Sequence, residues 1–507
     1  MAKTLFKAVV LVAVFSIITR CLGFLFRIYL SRELGAEMLG IYQIAMSVFM
    51  VLVVLVSSGL PLAVSKLTAK HNVQKNFKAN DATATSTLII GVVVSIVLCA
   101  IFYCFQNVIG KMFTDFRCME ILLILLPAVV ASAVYSAFRG SLWGQKDYFS
   151  VGWTELAEQV IRILLFVVMI EFLFKSTDGA SIAGWSMTIS CVASAILAGI
   201  VYFKKGGKLS SPKGYLKPVL QSSVPVTGVR TASSLIQPVI AVLFPMMLVL
   251  SGTNNETALS LFGVAMGMTF PLLFLPSTLI GSLSFALIPE LATALEKNQK
   301  SLIEERVKTG LLFAVIVSAM IIPLYVGLGV PICEFLFDNS LSGEFLMGAS
   351  WIMIPLGLSN ITSSILNAFN LEVKSFINNI VGGVCLLLCV VCFTALLNVY
   401  ALILGFGLCM GLTTLLNIIM IKKHTHIKLG LLKPLFLSVV FVFPCAFLSK
   451  WIYGLCLFVF PMFVSLMIGA CVAVGSFVIL CMCFKLCNFT MIFSKIKTLP
   501  KISKKKA

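Results

Sequence analysis

The sequence is poor in charge, and poorest in negative charge. Only 11% of its 507 residues are Asp, Glu, Lys or Arg, with 19 acidic against 38 basic residues and three histidines. Hydrophobic residues make up 60% and the mean hydropathy is +1.08, a balance foreign to soluble domains. His71, His424 and His426 all fall in stretches rich in lysine. No nucleophile–His–acid set and no metal-ligand spacing can be built from them. The G-x-x-x-x-G-K-[ST] loop that cradles phosphates is missing, which argues against an ATPase within the chain. The strict alternation of a membrane β-barrel is missing too. No catalytic residue, metal or cofactor is therefore expected, and the chain does not read as an enzyme. Its sixteen cysteines are scattered through apolar runs without paired spacings and read as small buried hydrophobes. Cys481, Cys483 and Cys487 have no histidine near them and read the same way.

What the chain has in abundance is apolar runs of about twenty residues, the length that crosses a bilayer as a helix. About fourteen are expected, near residues 5–26, 38–60, 86–109, 119–139, 154–174, 181–203, 222–250, 258–285, 308–330, 346–368, 376–397, 399–420, 433–457 and 459–484. Lys3 and Lys7 precede the first run and no small-residue cleavage site follows it, so it reads as a retained helix rather than a removed signal. The fold class is an all-α polytopic membrane protein.

A net charge of +19 would suit a nucleic-acid partner, but its distribution does not. Lysines gather in alternate loops, as the positive-inside rule requires. Lys66, Lys70, Lys75 and Lys78 share a side with Lys204, Lys205, Lys208, Lys213 and Lys217. Lys422, Lys423, Lys428 and Lys433 fall there too, with Lys495, Lys497, Lys501, Lys504, Lys505 and Lys506 of the tail. The opposite loops carry groups such as Glu334, Asp338 and Glu344. Both termini are thus expected in the cytoplasm, with no nucleic acid as partner; the tail's lysines read most simply as a topology signal, and contact with anionic lipid heads is the alternative. The longest basic loop, residues 204–217, divides twelve spans into two sixes. The expected organisation is an N-lobe (1–204), a basic linker (205–221), a C-lobe (222–421), two further helices (422–485) and a basic tail (486–507). Two stretches echo one another. VLVVLVSSGLPLAVSKLTAK and FLPSTLIGSLSFALIPELATALEK both run from an apolar span into an amphipathic helix, with Leu55, Ser58 and Leu67 opposite Leu279, Ser282 and Leu291. Paired repeats in transporters are commonly two lobes that rock about a midplane site.

Within the spans, ionisable residues are costly and mark function. Arg20 lies about 22 Å along a helix that begins near Leu5, past the middle of the hydrocarbon layer. Arg27 follows on the same face, and the two suggest a place for an anion. Arg27 and Arg32 also fit snorkelling to the interface, and Arg20 a structural ion pair. In WTELAEQVIR, Glu158 and Arg162 are four residues apart and share a helix face. They read as a gating or coupling pair or as a lock on the bundle. Arg230 stands among small residues and prolines in span seven. Its helix is expected to break or kink at Pro238 and Pro245, making Arg230 the second lobe's cation or an interfacial residue. Pro271 and Pro276 predict bends in span eight. Asn360, Asn367 and Asn370 recur at helical spacing. They line a polar cavity or hold helices together, and Gln43, Asn360 and Asn367 are the cavity-lining candidates.

Four stretches, TRCLGFLFRIYLSRELGAEMLGIYQ, SSGLPLAVSKLTAK, AFRGSLWGQKDYFSVGWTELAEQVIRI and LFGVAMGMTFPLLFLPSTLIGSLSFALIPELA, resemble the stage V sporulation protein B family. That family lies within the polysaccharide transporters of the multidrug/oligosaccharidyl-lipid/polysaccharide superfamily and is related to the bacterial lipid II flippase. The resemblance implies fourteen helices in two pseudosymmetric six-helix lobes plus two, working by alternating access. Its implied cargo is a saccharide joined by pyrophosphate to a polyprenyl carrier, moved to the outer leaflet of a bacterial cell membrane for envelope assembly. Arg20 falls on the first-helix Arg of the lipid II flippase motif, and Arg27 one position later than its second. Glu158, Gln159 and Arg162 match the EQ-x-x-R signature of the sporulation family. Pro271 and Phe274 stand where the lipid II flippase has an Arg and a Glu, its second-helix Arg cluster is missing near residues 51–57, and Met246 and Met247 stand where relatives have basic residues. These departures count against lipid II itself, while an anionic lipid-linked cargo fits Arg20. The implied function is a flippase binding its cargo through Arg20, Arg27 and Arg230, gated or coupled through Glu158, Gln159 and Arg162, with an ion gradient or membrane potential as driving force and cell-wall synthesis enzymes as further partners. The alternatives are a drug or cation exporter, which would want carboxylates in the first span, a membrane-embedded transferase, and a non-transporting scaffold indifferent to Arg20.

Overall fold

A computed structural model of the chain describes residues 2–173, 178–297, 299–425, 430, 432–484 and 486. His426, Lys428, Cys487 and the tail from Lys495 onward lie outside them. Helices are the only regular elements among the described residues. Thirteen helical stretches there are long and apolar enough to cross a membrane. Leu11–Val73, 63 residues long, has length for two crossings at about 1.5 Å per residue. The chain is a multi-pass, all-α membrane protein.

Packing divides it into two units, Met1–Met268 with Leu387–Leu402, and Thr269–Leu386 with Ile403–Ala507. Unit 1 starts with α1 (Ala2–Ser57), two helical limbs joined at Gly35 (φ 68°, ψ 178°), a backbone state only glycine adopts readily. Then come α2 (Leu60–Val73), α3 (Phe77–Cys104), the short α4 (Gln106–Gly110), α5 (Arg117–Gly144) and α6 (Tyr148–Val168). A π-helical turn, Met169–Leu173, extends α6. It continues with α7 (Gly179–Lys204), α8 (Leu216–Ser234), α9 (Ile236–Leu250), α10 (Asn255–Phe262) and most of a π-helical stretch, Gly263–Thr269. The second limb of α1 meets this last segment with no side chain between. A Cβ on Gly40 would sit 2.1 Å from the Leu259 carbonyl oxygen, and one on Gly263 2.0 Å from that of Ala36. Lipid offers no hydrophobic drive to press helices together, so such small-residue contact supplies the packing.

Unit 2 holds α11 (Phe270–Phe274), α12 (Ser277–Glu296), α13 (Lys300–Phe337), α14 (Ser340–Ala349), α15 (Met353–Ala368), and most of α16 (Glu372–Leu397) and α17 (Val399–Thr425), with α18 (Leu432–Cys456) and α19 (Met462–Cys483). Its largest apolar cluster joins α12, α13 and α15 through Ile280, Leu287, Leu291, Leu311, Ile361 and Ile365. Arg306 and Glu290 pair at 3.2 Å between α12 and α13.

Several local expectations change. Span seven breaks at Leu235, one turn before Pro238, while Pro245 sits inside α9. A proline disrupts the turn preceding it, where its missing N–H and its ring fall. The span expected at 258–285 divides at Leu275–Pro276 into α11 and α12, after the π-helical stretch. α8 begins at Leu216, inside the expected linker, and the rest of that linker is docked. Asp81 accepts from the Tyr202 hydroxyl (2.9 Å) and the Lys208 amide (3.2 Å), and Thr85 Oγ1 accepts from the Ser210 amide (3.0 Å). His71 and His424, expected in loops, occupy last helical turns, His71 edge-on to the Tyr215 ring and His424 tilted against Phe369.

A charged ladder along the first and sixth helices

α6 is amphipathic in the reverse of the soluble sense, with ions on the face it turns to its neighbours. Two contacts set its register against the first limb of α1. A Cβ on Gly152 would touch Phe15 (2.5 Å), and one on Gly23 would lie 3.6 Å from Gln159 Nε2. Eight residues on α1 thus match seven on α6, and the helices run parallel. Arg20 lies at the level of residues 155–157, and Arg27 near Arg162.

Arg162 is fully engaged. Nη2 donates to Glu158 Oε1, Nη1 to Gln159 Oε1 (3.1 Å) and Nε to Ser190 Oγ of α7 (3.2 Å). The Cys191 thiol also approaches Glu158 (3.9 Å). These side chains keep 15% and 21% of their surface for Arg162 and Glu158. The i, i+4 pairing read from the sequence is present. Gln159, its third member, is buried.

One turn toward the N-terminus of α6, Glu155 pairs with Arg139 of α5 at 2.5 Å. The Arg139 guanidinium lies 4.4 Å over the Trp143 ring and 5.9 Å from that of Tyr135. The Tyr135 hydroxyl lies 3.2 Å from Thr154 Oγ1. Neither Arg139 nor Glu155 was singled out in the sequence: they stand at the edges of their expected spans, 119–139 and 154–174, where a charge is ordinary. Tyr42 was missed too. It is buried on the returning limb of α1, within electrostatic reach of Arg27 and Arg162.

Arg27 is half-buried and Arg20 exposed, and neither forms an ion pair among the described residues. The structural ion pair considered for Arg20 is not formed among the described residues. The two pairs cancel, and Arg20 and Arg27 are left as two cations without an ion pair among the described residues, while α1 also carries Arg32, Glu33 and Glu37 and Glu171 accepts from the Tyr29 hydroxyl at 3.5 Å.

The other sequence candidates lie apart from this ladder. Arg230 belongs to α8 in unit 1, is exposed and donates to the Ser58 carbonyl at 3.1 Å. Gln43 is half-buried on the second limb of α1. Asn360 is half-buried and Asn367 exposed in unit 2. Unit 2's buried polar network involves other residues. Asn378 Nδ2 donates to Asn417 Oδ1 (2.8 Å), and Asn417 Nδ2 donates to Thr362 and Ser363 hydroxyls (both 3.1 Å).

Two ion sites lie at the ends of unit 1. Arg117 bridges Glu37 (2.5 Å) and Asp115 (2.8 Å) beside the Gly35 bend. Asp147 caps α6, accepting from the Ser150 amide (3.3 Å), and pairs with Lys205. Burial pushes the Asp147 carboxyl upward, but Lys205 and Ser150 outweigh it and hold the group below its ordinary range. Asp115 is held low in the same way by Arg117, against the pull of burial.

The comparisons agree with this architecture. A family model described as polysaccharide biosynthesis protein matches residues 5–251. Stage V sporulation protein B of Bacillus subtilis (strain 168) is 24% identical over 465 residues, 89% of this chain and 90% of its own. Sporulation protein YkvU of the same organism is 22% identical over 316 residues, 60% of this chain and 68% of its own. The solved lipid II flippase MurJ, in an inward closed conformation, superposes with a TM-score of 0.68 at 15% identity, covering 95% of this chain and 100% of that one. An inward-facing multidrug resistance MATE family transporter of the MOP superfamily gives 0.68 at 15% identity, covering 83% of this chain and 98% of its own. The chain is thus a multi-pass membrane protein that is similar to stage V sporulation protein B over most of its length and shares the all-helical fold of MurJ and the MATE transporters.

Proposed function

We propose that this protein is a flippase that carries a polyprenyl-pyrophosphate-linked saccharide from the inner to the outer leaflet of a bacterial membrane, with both termini in the cytoplasm. The observation that carries this reading is that two arginines of the first limb of α1, Arg20 and Arg27, have no ion-pair partner among the described residues. An arginine near the bilayer centre costs about 2.5–3.5 kcal/mol on insertion scales. A pyrophosphate diester is a dianion, and it offsets both at once. The relatives' printed names, a lipid II flippase and a polysaccharide biosynthesis family, support the same class of cargo.

The lobes at 1–204 and 222–421 alternate access, the sugar enters the polar interior, and the prenyl chain stays in lipid. Arg230 provides a further cation, and Glu158, Gln159 and Arg162 bias the two states. Such a bias moves cargo only if the states bind it differently or an ion gradient or the membrane potential is coupled to the change. Wall-synthesis enzymes act on the product.

The test is flipping of a fluorescent polyprenyl-pyrophosphate saccharide in proteoliposomes, with leaflet exposure read by quenching. Wild type is expected to flip, and Arg20→Ala to lose at least about tenfold in rate. Equal rates remove Arg20 from the mechanism. No flipping by folded protein across several saccharides and gradients would sink the reading in favour of another cargo or a scaffold.

A further inference from the structure

The two arginine–glutamate pairs of the ladder differ in one respect. Every nitrogen of the Arg162 guanidinium has its own acceptor, in Glu158, Gln159 and Ser190. Among the described residues Arg139 has one ion-pair partner, Glu155, through Nη2, and its Nε is buried with no hydrogen-bond partner there. Its planar face is held by Trp143 rather than by polar groups. Both members of the Arg139–Glu155 pair keep 31% of their surface, about twice that of Arg162. One pair is a lock, and the other has spare donors and an open side.

We propose that Arg139 is an anion receptor on the cytoplasmic side of unit 1, and that Glu155 is its exchangeable counterion. The phosphate group of an entering lipid-linked saccharide takes the guanidinium fork, for which planar bidentate geometry suits it. Glu155 is then left without its cation, in a half-buried place one turn from Glu158. A carboxylate stripped of its counterion beside a like charge binds a proton more readily. Anion binding at Arg139 and proton uptake at Glu155 are therefore linked, and each favours the other.

The groups around Glu155 make this exchange local. α5 presents Arg139, Trp143 and Tyr135, whose hydroxyl is engaged by Thr154. On α6 itself the near charges are Glu158 and, beyond it, Arg162. α7 presents Ser190 and Cys191 to that second pair. α1 brings Arg20 to the same level by register. Trp143 holds the Arg139 plane in position when Glu155 lets go, as a cation over an aromatic ring is attracted without a hydrogen bond.

The inference rests on the cargo class proposed above, and its test separates the two. Purified protein is titrated with a short-chain prenyl-pyrophosphate-linked sugar, a soluble diester whose charge is constant across mildly acidic to mildly alkaline pH. Wild type is expected to bind more tightly as pH falls and to take up protons on binding, read by a dye in weak buffer. Glu155→Gln frees Arg139 permanently. It is expected to bind about tenfold more tightly at alkaline pH, with a flattened pH profile and no proton uptake. Arg139→Gln is expected to lose both affinity and pH dependence. Because it strands Glu155, the charge-neutral Arg139→Gln, Glu155→Gln double variant is measured beside it, and Arg139→Lys should restore charge but not the full affinity. An unchanged pH profile in Glu155→Gln, or full affinity in the double variant, overturns the proposal while leaving the flippase reading intact. No binding of the probe by wild type overturns it as well, and the flipping assay then judges the cargo separately.

Discussion

The polar groups that unit 1 gathers around α6 are ions, and those that unit 2 gathers around α17 are amides and hydroxyls. Arg162 and Glu158 are satisfied by one another and by Gln159, Ser190 and Cys191. Asn378, Asn417, Thr362 and Ser363 form a closed, neutral network. The two choices carry different risks. A neutral hydrogen bond between membrane helices is worth about 0.6 kcal/mol on average and rarely more than about 1.7. A buried ion pair contributes little net stability, but removing one partner costs about 3–5 kcal/mol, because the other charge is then stranded. Unit 2's network suits a scaffold that tolerates wear. Unit 1's suits a place where charge has to meet charge.

This contrast can be broken most severely at Arg162. Arg162→Met is expected to destabilise unit 1 by about 3–5 kcal/mol, read as lost accumulation or a large drop in thermal midpoint in detergent. Arg162→Met with Glu158→Gln should recover most of that loss, and failure to recover would mean that Arg162 acts through Gln159 and Ser190 instead. In unit 2, Asn417→Leu is expected to cost about 1–2 kcal/mol and to leave flipping within about twofold of wild type. A flipping defect comparable to that of Arg20→Ala would erase the distinction between the units. The smallest effect is expected at the rim of unit 1. Asp147→Asn should cost up to about 1 kcal/mol at neutral pH, since Lys205 is largely exposed and the cap persists in part. The folded-state carboxyl is held low, so its contribution is present above the unfolded carboxyl's range and is lost as pH falls through the folded value. Wild type and Asp147→Asn should therefore converge in stability in acid, as followed by thermal melts across pH.

Much of the architecture could be read from the sequence, because it depends on quantities that add along the chain. Apolar runs located most of the crossings, though the charged α6, expected as a span at 154–174, is not among the thirteen stretches apolar enough to cross and the run expected at 258–285 divides in two. The Glu158–Arg162 pair was readable because helical spacing alone brings the two together. The Arg139–Glu155 pair was not, because its members sit on different helices and their meeting depends on how α5 packs on α6. The same holds for Asn378 with Asn417, 39 residues apart, and for Arg230 with Ser58, 172 apart. Backbone contact between Gly40 and Gly263 leaves no mark that distinguishes those glycines from others in the chain. Proline positions located the breaks only to within a turn, since the ring acts on the residues before it.

The Gly35 bend bears on how the chain enters a membrane. Two helical limbs joined by one non-helical residue have no loop in which to part company. Limbs so joined are expected to enter a bilayer as a single hairpin, in which the apolar return limb offsets the first limb's charges. Tyr42 of the return limb lies within electrostatic reach of Arg27 of the first, a meeting that the bend itself makes and that needs no residue of α6.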